Sequence, residues 1–282
     1  MTSLKVILFL MLVAFIGCNE AVDYPSGTID TLSFHSVTLK RTIKYQVYRP
    51  PTYNSTTSTY PVLYLLHGHG GDERDWFQMD EGNAKHLLDS LICTQTIPPM
   101  VAVSLGAGNS WYVDRPELME TFYLGEFMPL VESTYAIDTT LSRTIAGNSA
   151  GGYGALRFSL KDPSLFDNVI LLSPASYEPL PPPISSSRKV EAFALDGTFN
   201  DSIWNSFSYT RRWDNLLNAP RKPHYYLFVG DDDVYNIVPV VTRLQQQMLK
   251  DSIPNELRII NGGHDWDCWR GNFVEALTAI YK

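Results

Sequence analysis

The sequence predicts an α/β fold with a mostly parallel, doubly wound central sheet and helices on both faces. Two observations carry that expectation. From residue 62 onward, apolar runs of strand length alternate with longer stretches of helical period, the rhythm of successive βαβ units. The runs are apolar at nearly every position, which suits strands covered on both faces. A length of 282 residues is ample for one such domain.

The first segment reads as a processing signal. Lys5 precedes the apolar run 6–16, and Gly17-Cys18 follows it, the order of regions in a signal peptide. The run falls short of the roughly 20 apolar residues of a spanning helix. Ala14-Phe15-Ile16-Gly17-Cys18 resembles a bacterial lipobox. That resemblance implies lipidation of Cys18 and an exported protein of the bacterial cell envelope, touching membrane only through its anchor; Phe15 stands where Leu is usual, which leaves ordinary signal cleavage and secretion as the alternative. The expected organisation is a signal segment over 1–18, a linker over 19–30 and one domain over 31–282.

Residues 31–39 and 43–48 alternate in polarity and predict an antiparallel edge hairpin. Pro50-Pro51 and the polar stretch 53–59 form a loop. Strands are then expected at 62–66, 100–105, 143–146, 168–172, 225–229 and 257–260. Helices are expected at 84–94, 120–135, 150–161, 237–250 and 267–281. The irregular stretch 173–222, with Pro181-Pro182-Pro183, reads as an insertion covering the site, since loops this long inside compact domains are usually functional. Cys93 lies in an apolar helical stretch and reads as a buried small hydrophobe. Cys93 and Cys268 could pair, but sequence does not place them together. A formal net charge of −8 without a Lys/Arg cluster excludes nucleic acid as the expected partner.

Chemistry points to Gly147-Asn148-Ser149-Ala150-Gly151. A Gly-x-Ser-x-Gly match alone arises by chance in roughly one chain in ten of this length. Here a strand precedes it and a glycine-rich helix start follows, which is the setting of a nucleophile elbow. A serine hydroxyl needs a base to take its proton and a carboxylate to orient that base. Downstream only His224 and His264 remain. His224 opens a strand at the far end of the sheet and reads as structural. His264 follows a strand through Asn261-Gly262-Gly263, at the edge where such folds gather catalytic groups. Asp231, Asp232 and Asp233 all follow the strand 225–229, and local pattern does not choose among them. The oxyanion donors should be the backbone N–H of Ala150 and one from His67-Gly68-His69-Gly70-Gly71. A metal site on His67 and His69 lacks a third ligand nearby, so no metal or cofactor is expected.

These segments appear in a familiar order. Leu65-Leu66-His67-Gly68-His69-Gly70-Gly71 with Asp75-Trp76, then Gly108-Asn109-Ser110-Trp111-Tyr112-Val113-Asp114, residues 147–156, and Gly262-Gly263-His264-Asp265-Trp266 with Trp269 together resemble the esterase family of α/β-hydrolases. That family includes feruloyl and acetyl xylan esterases of carbohydrate esterase family 1, esterase D, enterochelin esterases and mycolyltransferases. The resemblance implies an α/β-hydrolase fold with Ser149 as nucleophile, His264 as base and Asp233 as its orienter. It also implies His69 as the early oxyanion donor, through its backbone N–H. The chain departs from many relatives at His69 and at Ser104.

The function expected is hydrolysis of a carboxylic ester through an acyl-Ser149 intermediate, on acyl or feruloyl esters of extracellular polysaccharide. Trp111 and Trp266 are the candidate substrate-binding aromatics. Acyl transfer and siderophore-ester hydrolysis are alternatives on the same scaffold, and a non-catalytic glycan-binding lipoprotein is the alternative from another class.

Overall fold

The computed structural model describes residues 25–282. Cys18, the signal segment 1–18 and most of the linker expected over 19–30 lie outside the described residues. Strand β1 (Thr28–Ser36) begins before residue 31, so the last three residues assigned to the linker belong to the sheet.

Eight strands form the main sheet: β1, β2 (Arg41–Arg49), β3 (Val62–Leu66), β4 (Val101–Leu105), β5 (Arg143–Asn148), β6 (Asn168–Leu172), β9 (His224–Gly230) and β10 (Asn255–Ile260). Between β6 and β9 a separate two-stranded pair, β7 (Ala194–Leu195) with β8 (Thr198–Phe199), lies in the insertion. The sheet order is β1-β2-β4-β3-β5-β6-β9-β10. Strand β2 runs antiparallel to both its neighbours, β1 and β4, and every other pair in this sheet is parallel. β3 and β4 are buried at every position, as their apolar runs require.

Helices cover both faces. On one face α1 (Ala84–Cys93) and α8 (Trp266–Ile280) pack their apolar stripes through Leu88, Phe273 and Leu277. On the other lie α2 (Met119–Phe122), α3 (Met128–Thr134), α4 (Ala150–Lys161) and α7 (Val238–Lys250). The helix expected over 120–135 is interrupted by a π turn, Tyr123–Phe127. Pro129 in the first turn of α3 explains it: proline removes one N–H and crowds the carbonyl four residues back. The turn aims Glu126 at the β1–β2 hairpin, where it accepts from Ser36 Oγ and the Val37 and Thr38 amides at 2.8–2.9 Å.

Cys93 corrects an expectation: it is exposed and free, and Cys268 is buried and free. The buried stripe of α1 runs through Ala84 and Leu88. Cys93 follows Ala84 by about two and a half helical turns, which puts it on the opposite side. Among the described residues no helix is long and apolar enough to cross a membrane.

The stretch 173–222 has more structure than its sequence suggests, including α5 (Asp201–Ser206) and α6 (Trp213–Asn218). It is pinned to the domain by charge. Glu120 of α2 is buried and pairs with Arg157 of α4 at 3.0 Å, Lys161 at 2.9 Å and Arg212 of the insertion at 2.7 Å. Burial alone would raise its pKa, but the Arg212 hydrogen bond and the Arg157 charge pull the carboxyl down to about 2. Glu120→Gln leaves the buried Arg157 without its counter-charge and should cost about 3–5 kcal/mol, read by urea unfolding at pH 7. Because the folded pKa is depressed, this stabilisation is present above the ordinary value of 4.5 and lost toward about 2. The stability gap between wild type and variant should close over that interval.

Candidate active site

β5 ends at Asn148 and α4 starts at Ala150, leaving Ser149 on the turn between them. Ser149 has φ 53° and ψ −114°, a conformation that costs a residue with a side chain roughly 1–3 kcal/mol. Hydrogen bonds hold it there. Its N–H donates to the Leu172 carbonyl at 2.9 Å, and its carbonyl accepts from Tyr153 and Ala175 amides at 3.0 Å each. The flanking glycines are there for space: a Cβ on Gly147 would lie 2.2 Å from the Gly151 carbonyl oxygen, and one on Gly151 would lie 2.1 Å from that of Leu66.

Ser149 Oγ lies 2.8 Å from His264 Nε2, and His264 Nδ1 lies 2.7 Å from Asp233 Oδ2. The other Asp233 oxygen accepts from the Tyr235 amide at 2.9 Å. The imidazole is flanked by the Tyr235 ring, 4.5 Å between centroids, and the Trp269 ring, 5.0 Å. Trp269 Nε1 in turn donates to Ser173 Oγ at 3.1 Å. The neighbouring aspartates have other employment. Asp231 Oδ1 accepts from the Gly262 amide at 3.1 Å, and the Asp232 amide donates to the Gly262 carbonyl at 3.0 Å. His224 stays at the start of β9, stacked on Tyr226 at 4.4 Å.

The loop after β3 lies over the elbow, with the Gly68 Cβ position 3.7 Å from Ser149 Cβ. The buried His67 organises it. Its Nε2 accepts from the Ala107 amide at 3.0 Å, so the ring proton sits on Nδ1 and is donated to the Gly68 carbonyl at 2.7 Å. The Gly71 amide donates to the same carbonyl at 3.3 Å. Across the planar trans peptide the His69 N–H points opposite to that carbonyl, so the His67 side chain fixes its direction. Burial depresses the His67 pKa, keeping the ring neutral as this arrangement needs. Asn109 Oδ1 accepts from Gly70 N–H at 2.8 Å, and Tyr112 OH donates to the His67 carbonyl at 2.9 Å. Ala150 is the first residue of α4, where N–H groups have no intrahelical partner.

These groups open on a cleft of about 370 Å³, lined by Ser149, His264, Tyr177, Tyr235, Trp111 and Trp266. Trp111 is almost wholly buried against Tyr153 and Phe193 and presents only an edge. Trp266 is half-buried on the opposite wall, its ring 5.1 Å from Trp76. The insertion contributes Ser185 and Ser186, which no local pattern distinguishes from other serines of the stretch. Asp75 and Glu81 also line the cleft. Burial, then the Asp75 charge, raises the Glu81 pKa. Among the described residues no group of three His, Cys, Asp or Glu side chains is placed to hold a metal ion.

Residues 36–280 match the family described as "Putative esterase". An acetyl esterase of Caldicellulosiruptor saccharolyticus is 30% identical over 257 residues, covering 78% of this chain and 83% of that protein. An endo-1,4-beta-xylanase/feruloyl esterase of Xylanibacter ruminicola is 29% identical over 168 residues, 56% of this chain and 23% of that longer protein. A solved ferulic acid esterase shares the fold at a TM-score of 0.75, with 24% identity over 91% of this chain and 98% of the other.

The elbow's packing gives a direct check. Gly151→Ala should destabilise the protein by about 1–3 kcal/mol or more, because backbone of β3 cannot yield to the added methyl. Gly271→Ala, where a Cβ meets nothing within 4 Å on α8, should leave the melting temperature level or raise it. Parallel thermal melts compare the two.

Proposed function

The chain belongs to this esterase family, and from that premise we propose that it hydrolyses carboxylic esters through an acyl-Ser149 intermediate. The observation that carries the reading is the unbroken hydrogen-bonded series from Ser149 Oγ through His264 to Asp233. In this mechanism Ser149 Oγ attacks the ester carbonyl carbon while its proton passes to His264 Nε2. The carbonyl oxygen, now negative, faces the N–H groups of His69 and Ala150. Collapse of the tetrahedral species expels the alcohol, which leaves with the proton from Nε2. A water then repeats the sequence on the acyl-enzyme and regenerates Ser149. Asp233 accepts a hydrogen bond from Nδ1–H throughout, holding the ring in the tautomer whose Nε2 faces the serine.

The substrates proposed are acetyl or feruloyl esters on extracellular polysaccharide. Acetyl and feruloyl esterases among the relatives support this, as does a cleft with an aromatic wall at Trp266. The signal-like residues 1–18 support an exported protein lipidated at Cys18, to be tested by palmitate labelling of wild type and Cys18→Ser.

A fluorophosphonate probe should label wild type and leave Ser149→Ala unlabelled; equal labelling refutes the acyl-enzyme. Asp233→Asn should lower kcat by about 10⁴-fold. Asp231→Asn and Asp232→Asn should each cost less than about tenfold, since neither carboxylate touches His264. His67→Ala should lower kcat by about 10- to 100-fold with KM little changed. It loosens an amide that matters mainly once the oxyanion forms, and steady-state kinetics on a p-nitrophenyl ester separates the two constants.

A further inference from the structure

Past His69 the cleft continues into a second groove between the 107–117 loop and the insertion. The part beside His69 encloses about 610 Å³ and the part beyond Lys189 about 440 Å³. His69 lines both the cleft and the groove, and Arg115 and Lys189 line both parts of it. An ester seated at Ser149 and long enough to pass His69 therefore reaches these two cations.

The charges there are unevenly matched. Arg41 is neutralised by Glu117 at 2.8 Å. Arg115, Arg188 and Lys189 form no ion pair among the described residues, while Glu191 and Asp196 are the remaining acids of the groove. Arg188 is fixed in place, donating to the Pro181 carbonyl at 2.8 Å with its guanidinium 4.5 Å from the Phe199 ring centre. Arg115 spends one Nη2 proton on the Ala194 carbonyl at 2.6 Å and lines both parts of the groove with no carboxylate partner among the described residues. A guanidinium without a counter-charge at a groove wall is a ready partner for a carboxylate. Lys189 is exposed and close enough to His69 to add its charge to burial in lowering that imidazole's pKa.

We propose that this groove holds a carboxylate carried by the substrate on the part remote from the scissile bond. Arg115 offers a guanidinium charge at the wall and Lys189 the steering charge. In a chain of net charge −8, the surface at large repels such a substrate and this groove draws it in. The proposal rests on the reading of Ser149 as an esterase nucleophile and narrows its substrates to acidic esters, such as acylated uronate-bearing glycans.

The test compares charged and neutral esters of matched size in two arms. One arm puts the charge on the acyl side, with the 4-methylumbelliferyl monoester of glutaric acid against the pentanoate. The other puts it on the alcohol side, with acetylated methyl glucuronoside against acetylated methyl glucoside. At low ionic strength wild type should prefer the acid in one arm by its kcat/KM ratio. Lys189→Glu should cut that ratio by about three- to fivefold, the scale of an exposed charge pair, and Arg115→Gln should cut it independently. Added salt should shrink the wild-type ratio as screening shortens its reach. No preference in either arm, or a preference that both variants and salt leave intact, overturns the proposal. Turnover by Ser149→Ala would instead overturn the reading beneath it.

Discussion

The structure turns on one close backbone crossing, where the turn at Ser149 presses against the end of β3. Leu66 pairs with Gly147 in adjacent parallel strands, so both chains leave the sheet side by side at the same edge. There is no room between them for a Cβ at Gly151, and none within the turn for one at Gly147. The close approach, with the hydrogen bonds of Ser149 to Leu172, Tyr153 and Ala175, keeps Ser149 in its positive-φ conformation, which the isolated turn would not keep. It also decides what lies beside the hydroxyl. The chain leaving β3 is the His67–Gly71 loop, so the crossing that lifts the serine also brings in the amide of His69. The proposed nucleophile and the proposed oxyanion donor both follow from one adjacency in the sheet.

A second crossing does the same for base and acid. β9 and β10 are parallel neighbours, with Gly230 opposite Ile260. A Cβ on Gly230 would sit 2.1 Å from the Gly262 carbonyl oxygen, so only glycine lets the two loops meet. Asp231 and the Asp232 amide then clasp Gly262 from both sides. With the loops locked, Asp233 and His264 come into register, and the remaining Asp233 oxygen is held by the Tyr235 amide. The three aspartates thus divide the work: two fasten the loop bearing the histidine, and the third orients the ring.

That division explains which parts of the site could be read from sequence. The parallel sheet was legible because burial on both faces leaves unmistakable apolar runs. Ser149 and His264 were legible because each follows such a run through glycine-rich turns. The choice among Asp231, Asp232 and Asp233 was not, since all three share the same local signal and differ only in what the opposite loop offers them. Cys93 misled because an apolar neighbourhood does not reveal which side of a helix faces the core. His67 carries no local mark of its task, which depends on an amide forty residues away. The fold is written in periodicities, and the contacts that finish the site are written in pairs of distant residues.

The same contrast separates chemistry from substrate choice. Ser149, His264, Asp233 and the oxyanion amides stand on loops fixed by strand adjacency, so the sheet itself keeps them rigid. Ser185, Ser186 and Lys189 stand on an insertion with short helices and a two-residue strand pair, which has too little local structure to hold its own shape. Its order comes from outside, through Phe193, Trp204 and Leu216 buried in the domain core and through the buried ion cluster in which Glu120 joins Arg212 to Arg157 on the helix after Ser149. A single buried carboxylate therefore couples the wall that meets the substrate to the element that carries Ser149. Side chains facing the cleft from that wall can change without moving the relay. Changes at Glu120 would disturb both, because it is a point where the insertion is tied to the helix that starts at the sheet edge.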